Sequence, residues 1–168
     1  LGGARAGKSA LALELACDRG GTVVYVATAE AGDDEMAARI AQHRAERPDG
    51  WRTVEEPVAL RSVLASVEPD ACVVVDCLTL WVANLLARGD DVLPEAEAVA
   101  ELAAGRRGPT IVVSNEVGLG IVPASPVARE YRDLLGAVNA AFVRRAEDAA
   151  FVVSGFAIPL QPGWRPRA

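Results

Sequence analysis

The chain has 168 residues, a length that suits one domain with a substantial core. Apolar residues make up 51% and charged residues 24%, the composition of a globular protein rather than a disordered or membrane-embedded one. The formal net charge of −6 provides no excess of Lys and Arg to neutralise phosphates, which argues against non-specific nucleic-acid binding while leaving room for one local nucleotide site.

The first element is a loop and helix. Residues 2–9 read GGARAGKS, a G-x-x-x-x-G-K-S phosphate loop, and the apolar-periodic SALALELA continues it as a helix. In such a loop the backbone N–H groups of Gly2, Gly3, Ala4, Arg5, Ala6 and Gly7 turn toward phosphate oxygens. Lys8 supplies a cation for the β- and γ-phosphates, and the Ser9 hydroxyl is a ligand for Mg²⁺. A Gly-rich turn with a solvated Lys8 is the alternative reading, and Arg5 is either a further phosphate contact or a solvated side chain. A phosphate loop normally follows a strand, and only Leu1 precedes this one. We therefore expect that residues of a first strand are missing before Leu1.

Residues 22–28 (TVVYVAT) form a β-branched run after Gly20 and Gly21. Residues 33–48 read as a helix with acids in its first turn and Pro48 beyond its end. This helix carries His43, the single histidine of the chain. Met36, Ile40 and His43 share one helical face, so His43 edges a core stripe, lies half exposed near the helix end, or serves as a nucleophile toward an α-phosphate. One histidine and scattered cysteines do not make a metal ligand set.

Residues 51–57 suggest a short edge strand, and 58–67 have helical spacing. Residues 71–76 form a buried strand leading into a helix that ends near Gly89. Asp76, at the strand's end, is placed either to hold Mg²⁺ or to cap the next helix. A helix over 93–105 with Gly105 as its stop precedes the strand at 109–116. Ser114, Asn115 and Glu116 sit at the carboxyl end of that strand, where open α/β sheets bind ligands. Residues 125–148 form a long helix with Val127, Tyr131, Leu134, Val138 and Phe142 on one stripe. The run 149–156 reads as a final strand, and the Pro-rich stretch from residue 159 as an irregular end. Cys17, Cys72 and Cys77 lack C-x-x-C spacing; free thiols in a reducing compartment are expected. No apolar run reaches the length of a membrane span, and a secretory signal is not expected. Strands alternating with helices give an α/β fold, a mostly parallel sheet with helices on both faces.

Three segments together are distinctive: GGARAGKS, YVATAEAGDDEMAARIAQHRAERPDGWRTVEEP and SNEVGLGIVP. From residue 2 to about 154 the chain resembles the bifunctional adenosylcobinamide kinase / adenosylcobinamide-phosphate guanylyltransferase family of cobalamin biosynthesis. The resemblance implies a RecA-like P-loop fold, a homotrimer and a cytoplasmic enzyme. The implied substrates are adenosylcobinamide and ATP or GTP, with Mg²⁺. Two reactions are implied: phosphorylation of the cobinamide hydroxyl, then GMP transfer from GTP through a guanylylated histidine. His43 stands at that histidine's place. The remaining implied nucleotide site comprises Ala27, Thr28, Ala29, Glu46, Arg47, Pro48, Asp49, Glu55 and Asp76. Better-known members carry Glu where this chain has Asp76, one methylene shorter, and Ala6 replaces a commoner Ser. Two other readings stay open: a P-loop kinase with His43 inert, and a non-enzymatic nucleotide-dependent switch.

Overall fold

The computed structural model describes residues 1–160. Four parallel strands form the central sheet: β1 (Val23–Ala27), β2 (Arg52–Glu55), β3 (Cys72–Asp76) and β4 (Thr110–Val113), in the order β2-β1-β3-β4. Six helices accompany them among the described residues: α1 (Lys8–Arg19), α2 (Asp34–Ala45), α3 (Leu60–Ser66), α4 (Leu78–Arg88), α5 (Val92–Ala104) and α6 (Pro126–Arg145). The expected mostly parallel α/β architecture is what the chain adopts.

Strand periodicity divides the core in two. Val24, Val26, Val73 and Val75 face one way and pack against α3, α4, α5 and α6, with Leu60, Trp81, Leu135 and Val138 fully buried. Val23, Tyr25, Ala27, Cys72 and Val74 face the other way, toward Ala12 and Ala16 of α1. The two central strands are therefore apolar on both faces, which is why they read as continuous hydrophobic runs. Trp81 also donates its indole N–H to the Val58 carbonyl at 2.7 Å, satisfying its one polar atom in the core.

Residues 149–156 are not one strand. β5 (Ala150–Val153) turns back through Ser154 and Gly155 into β6 (Phe156–Pro159), an antiparallel hairpin. Ser154 and Gly155 have φ of 49° and 82°, the pair of positive angles that a two-residue hairpin turn demands. The Ser-Gly pair between apolar runs was the available signal. Leu1 and Gly2 join this hairpin to the rest. The Leu1 carbonyl accepts from Val152 N at 2.7 Å, Gly2 bridges to Val152 in parallel, and the Gly2 carbonyl accepts from Glu116 N at 3.1 Å. A Cβ on Gly2 would lie 2.2 Å from the Val152 carbonyl oxygen, so only glycine permits this approach.

In α6 the buried positions are Leu135, Val138, Asn139 and Ala141, with Tyr131, Leu134 and Phe142 packed beside them. Val127, expected on that stripe, is 65% exposed because it lies in the first turn, before the helix meets the core. Pro159 falls within β6 and not in the irregular end expected from there; the rest of that stretch, residues 161–168, lies outside the described residues. No helix among the described residues is long and apolar enough to cross a membrane.

Candidate functional site

The parallel strands deliver their carboxyl ends to one edge of the sheet, and the phosphate loop lies there. Gly7 caps α1 with φ 102°, a left-handed conformation, and Arg5 sits at φ 55°. These turns wrap residues 4–7 around the start of α1, whose first N–H groups have no intrahelical acceptor and favour an anion. The Gly155 N–H donates to the Ala6 carbonyl at 3.0 Å, fixing the loop's outer side to the hairpin turn. Lys8 Nζ reaches across the loop to the Gly3 carbonyl at 2.6 Å. Partial burial pulls the Lys8 ammonium below its usual range, while Cys77 and Asp76 act in the opposite sense.

A cleft of about 580 Å³ opens over this loop. Residues 4–9 line it, and so do Met36, Ile40 and His43 of α2. The helical face on which His43 lies therefore borders the cleft that the phosphate loop also lines, and α2 buries no residue at all. Asp33 starts that helix by accepting the Met36 N–H at 2.7 Å. His43 Nδ1 stands 3.7 Å from Glu46 Oε2, with both side chains about half exposed.

Asp76 ends β3 on the cleft wall, in register with Ala27. The capping alternative does not hold: Cys77 occupies the N-cap position of α4 and makes no side-chain cap bond. The Asp76 carboxylate instead accepts a hydrogen bond from the Tyr25 hydroxyl through Oδ2. Burial and the Asp76 charge push the Tyr25 phenol far up, so it remains a donor. The Arg47 guanidinium stacks on the Tyr25 ring, 3.9 Å from its centroid, and donates to Thr53 Oγ1 at 3.1 Å. Ser9 and Asp76 thus offer one hydroxyl and one carboxylate on the same cleft. Among the described residues no group of three or more His, Cys, Asp or Glu is clustered for a metal. That sparse oxygen set fits Mg²⁺, which is usually held by one or two protein ligands together with nucleotide phosphates and water.

Of the remaining residues anticipated for the nucleotide, Ala27, Ala29, Glu46 and Arg47 line the cleft. Gly2, Gly3, Thr28, Pro48, Asp49 and Glu55 do not. Gly2 and Gly3 hold the loop's entry, and Glu55 pairs with Arg44 on the outside of α2. Thr28 is wholly buried: its hydroxyl accepts the Cys77 N–H at 2.9 Å and donates to the Cys77 carbonyl at 2.8 Å. Pro48 and Asp49 form the turn before β2.

Sequence reasoning did not single out Tyr25, Arg39, Gln42 or Thr79, which also line the cleft. A Tyr inside an aliphatic strand was a usable signal, because a buried phenol needs a partner. Asn115 lines the cleft too, whereas Glu116 does not. Asn115 is held from α6: Asn139 Nδ2 donates to its carbonyl at 2.9 Å, and its own N–H donates to Thr79 Oγ1 at 2.9 Å.

A glycine-rich loop opening a helix, a lysine within it and an acid ending the neighbouring buried strand define a P-loop nucleotide-binding protein of the α/β class. The comparisons narrow this class. The model of the family described as cobinamide kinase / cobinamide phosphate guanyltransferase matches residues 1–160, and the chain belongs to that family. It is 49% identical over 164 residues to the bifunctional adenosylcobalamin biosynthesis protein CobP of Pseudomonas aeruginosa, covering 96% of this chain and 95% of that one. It is 41% identical to the bifunctional adenosylcobalamin biosynthesis protein CobU of Escherichia coli, and 39% to that of Salmonella typhimurium; each match spans 95% of this chain and 97% of the relative.

Proposed function

We propose that the chain carries out both reactions of its family on the adenosylated corrinoid, through one triphosphate site. In the first, the cobinamide hydroxyl oxygen attacks the γ-phosphorus of ATP or GTP. The bond from that phosphorus to the β–γ bridging oxygen breaks, the hydroxyl proton passes to solvent, and the nucleoside diphosphate departs. In the second, His43 Nε2 attacks the α-phosphorus of GTP and pyrophosphate leaves. A phosphate oxygen of cobinamide phosphate then attacks the same phosphorus, the N–P bond breaks, and adenosyl-GDP-cobinamide forms with the imidazole restored.

The observation that carries this reading is the shared cleft: the only histidine of the chain lines the same cleft as the phosphate loop. The loop N–H groups and Lys8 hold the phosphates and oppose charge that develops as a phosphoryl or nucleotidyl group moves. Glu46 orients the imidazole, and Arg47, braced on Tyr25, brings positive charge to the same wall. Ser9 and Asp76 would hold Mg²⁺, which when bound neutralises phosphate charge. We further propose a cytoplasmic homotrimer; the resemblance supports the trimer, and three free cysteines suit a reducing compartment.

The test is labelling with GTP carrying ³²P at the α-phosphate, in Mg²⁺, followed by denaturation. Label that is acid-labile, base-stable and absent from His43→Ala is expected. Label that persists in His43→Ala would overturn the histidine's role. Failure of the wild type to label, with phosphorylation of adenosylcobinamide retained, would leave a kinase. Loss of both activities would leave a nucleotide-dependent switch. Light scattering decides the trimer.

A further inference from the structure

The large apolar side chains that this fold exposes are concentrated beside the phosphate loop. Ten are exposed among the described residues, and nine of them lie on two segments, 117–127 and 153–160. Each segment is tied to the loop by a backbone hydrogen bond, Glu116 N–H to the Gly2 carbonyl and Gly155 N–H to the Ala6 carbonyl. The first segment is the more exposed. Leu119 is 81% and Ile121 98% accessible, with Val122 following at 62%. Hydrogen bonds hold it at both ends. Glu116 Oε1 accepts the Gly118 N–H at 2.5 Å, and Arg129 donates to the carbonyls of Pro123 and Ala124 at 2.9 and 2.7 Å. Asn115, where the segment leaves β4, lines the cleft itself.

Contiguous apolar surface held in water marks a binding surface. The substrate chemistry says what covers it here. The cleft, of about 580 Å³, is the size of a site for one nucleotide. A corrin macrocycle does not fit there as well. Its reacting hydroxyl hangs on a short aminopropanol arm, so the ring must rest on the protein surface within an arm's length of the phosphate loop. The ring's methyl groups and conjugated rim give it apolar surface between its carboxamide arms. We propose that Leu119 and Ile121, backed by Val122, form the seat on which the corrin ring lies while its arm enters the cleft past Asn115. This rests on the reaction proposed above and names the subsite for its second substrate. A second copy of the chain seated on the same loop would have to leave that arm's length free, which is why we assign the patch to the corrinoid.

The test uses the double variant Leu119→Ser/Ile121→Ser, both positions being exposed and outside the core, with Leu119→Met/Ile121→Leu as the apolar control. Equilibrium dialysis of adenosylcobinamide, followed by its visible absorbance, gives corrinoid affinity without catalysis. The serine variant is expected to lose roughly tenfold or more in corrinoid affinity, and to show the same rise in corrinoid KM in both half-reactions. The apolar control is expected to keep both. Enzyme–GMP formation from GTP alone, the KM for GTP and the molar mass by light scattering are expected to stay at wild-type values. Unchanged corrinoid affinity would overturn the assignment. So would a fall in molar mass, which would give the patch to a neighbouring copy. A wild type that forms no enzyme–GMP would count against the proposed chemistry, while dialysis would still decide the seat.

Discussion

Thr28 offers a sharp test of how the site is built, because the resemblance places it among nucleotide contacts and the structure turns it inward. Its hydroxyl holds both backbone groups of Cys77, and its own N–H donates to the Asp76 carbonyl at 3.1 Å. Asn84 Nδ2 completes the joint, donating to the carbonyls of Thr28 at 2.9 Å and Pro57 at 3.0 Å. Thr28→Val keeps the shape and removes the hydroxyl. The Cys77 carbonyl retains a donor, Trp81 N–H at 3.2 Å, but the Cys77 N–H loses its acceptor in a site where Thr28 is 0% exposed. One orphaned buried donor costs about 1–3 kcal/mol, and the second lost bond about 0.5–1.5 kcal/mol, so a loss of about 2–4 kcal/mol is expected. In a domain of this size that lowers Tm by about 5–15 °C. Thr28→Ser restores both bonds and should recover most of the loss. Urea unfolding followed by far-UV circular dichroism, alongside titration with a fluorescent GTP analogue, measures the two roles separately. A Thr28→Val protein with unchanged unfolding midpoint and weakened nucleotide binding would refute the structural role.

Two further predictions concern parts of the fold remote from the phosphates. Arg106 spreads its guanidinium over the carbonyls of Leu64, Glu68 and Ala71 at 2.9–3.0 Å, closing the turn between α3 and β3. Arg106→Ala should cost about 2–3 kcal/mol in urea unfolding, and Arg106→Lys should recover only part of it, since an ammonium cannot span three acceptors in a plane. Alkaline pH should destabilise the fold. Burial raises the Cys72 and Cys77 thiols above their ordinary 9.0, and burial with Asp76 raises the Tyr25 phenol above its ordinary 10.0. The unfolded chain therefore releases these protons first, and stability present below pH 9 falls as pH rises beyond it. Urea melts at pH 7.5 and pH 10 should show a lower midpoint at the higher pH, and Cys72→Ala with Cys77→Ala should flatten the difference.

The legible parts of this protein are those whose chemistry is local in sequence. The phosphate loop needs glycines, a lysine and a hydroxyl within eight residues, so it announces itself. β1 and β3 show as unbroken apolar runs because both faces of the sheet are covered. Periodicity in α2 correctly put Met36, Ile40 and His43 on one face, but a shared face does not say what it faces. Amphipathicity reads the same against a core as against a ligand cleft, and only the absence of buried residues in α2 tells the two apart. The hairpin was merged into one strand because both its arms are apolar, although β6 is exposed along its whole length.

What the sequence could not show is the support behind the site, since it is made of contacts between distant segments. Asp76 meets Tyr25 across 51 residues, and Tyr25 carries Arg47, which follows the histidine-bearing helix. No motif spacing encodes such a chain, because strand order alone brings its members together. Its consequence is that the acid at the sheet edge and the end of α2 share one aromatic brace. Displacing the Tyr25 ring would then disturb both the wall that holds Asp76 and the wall that presents His43.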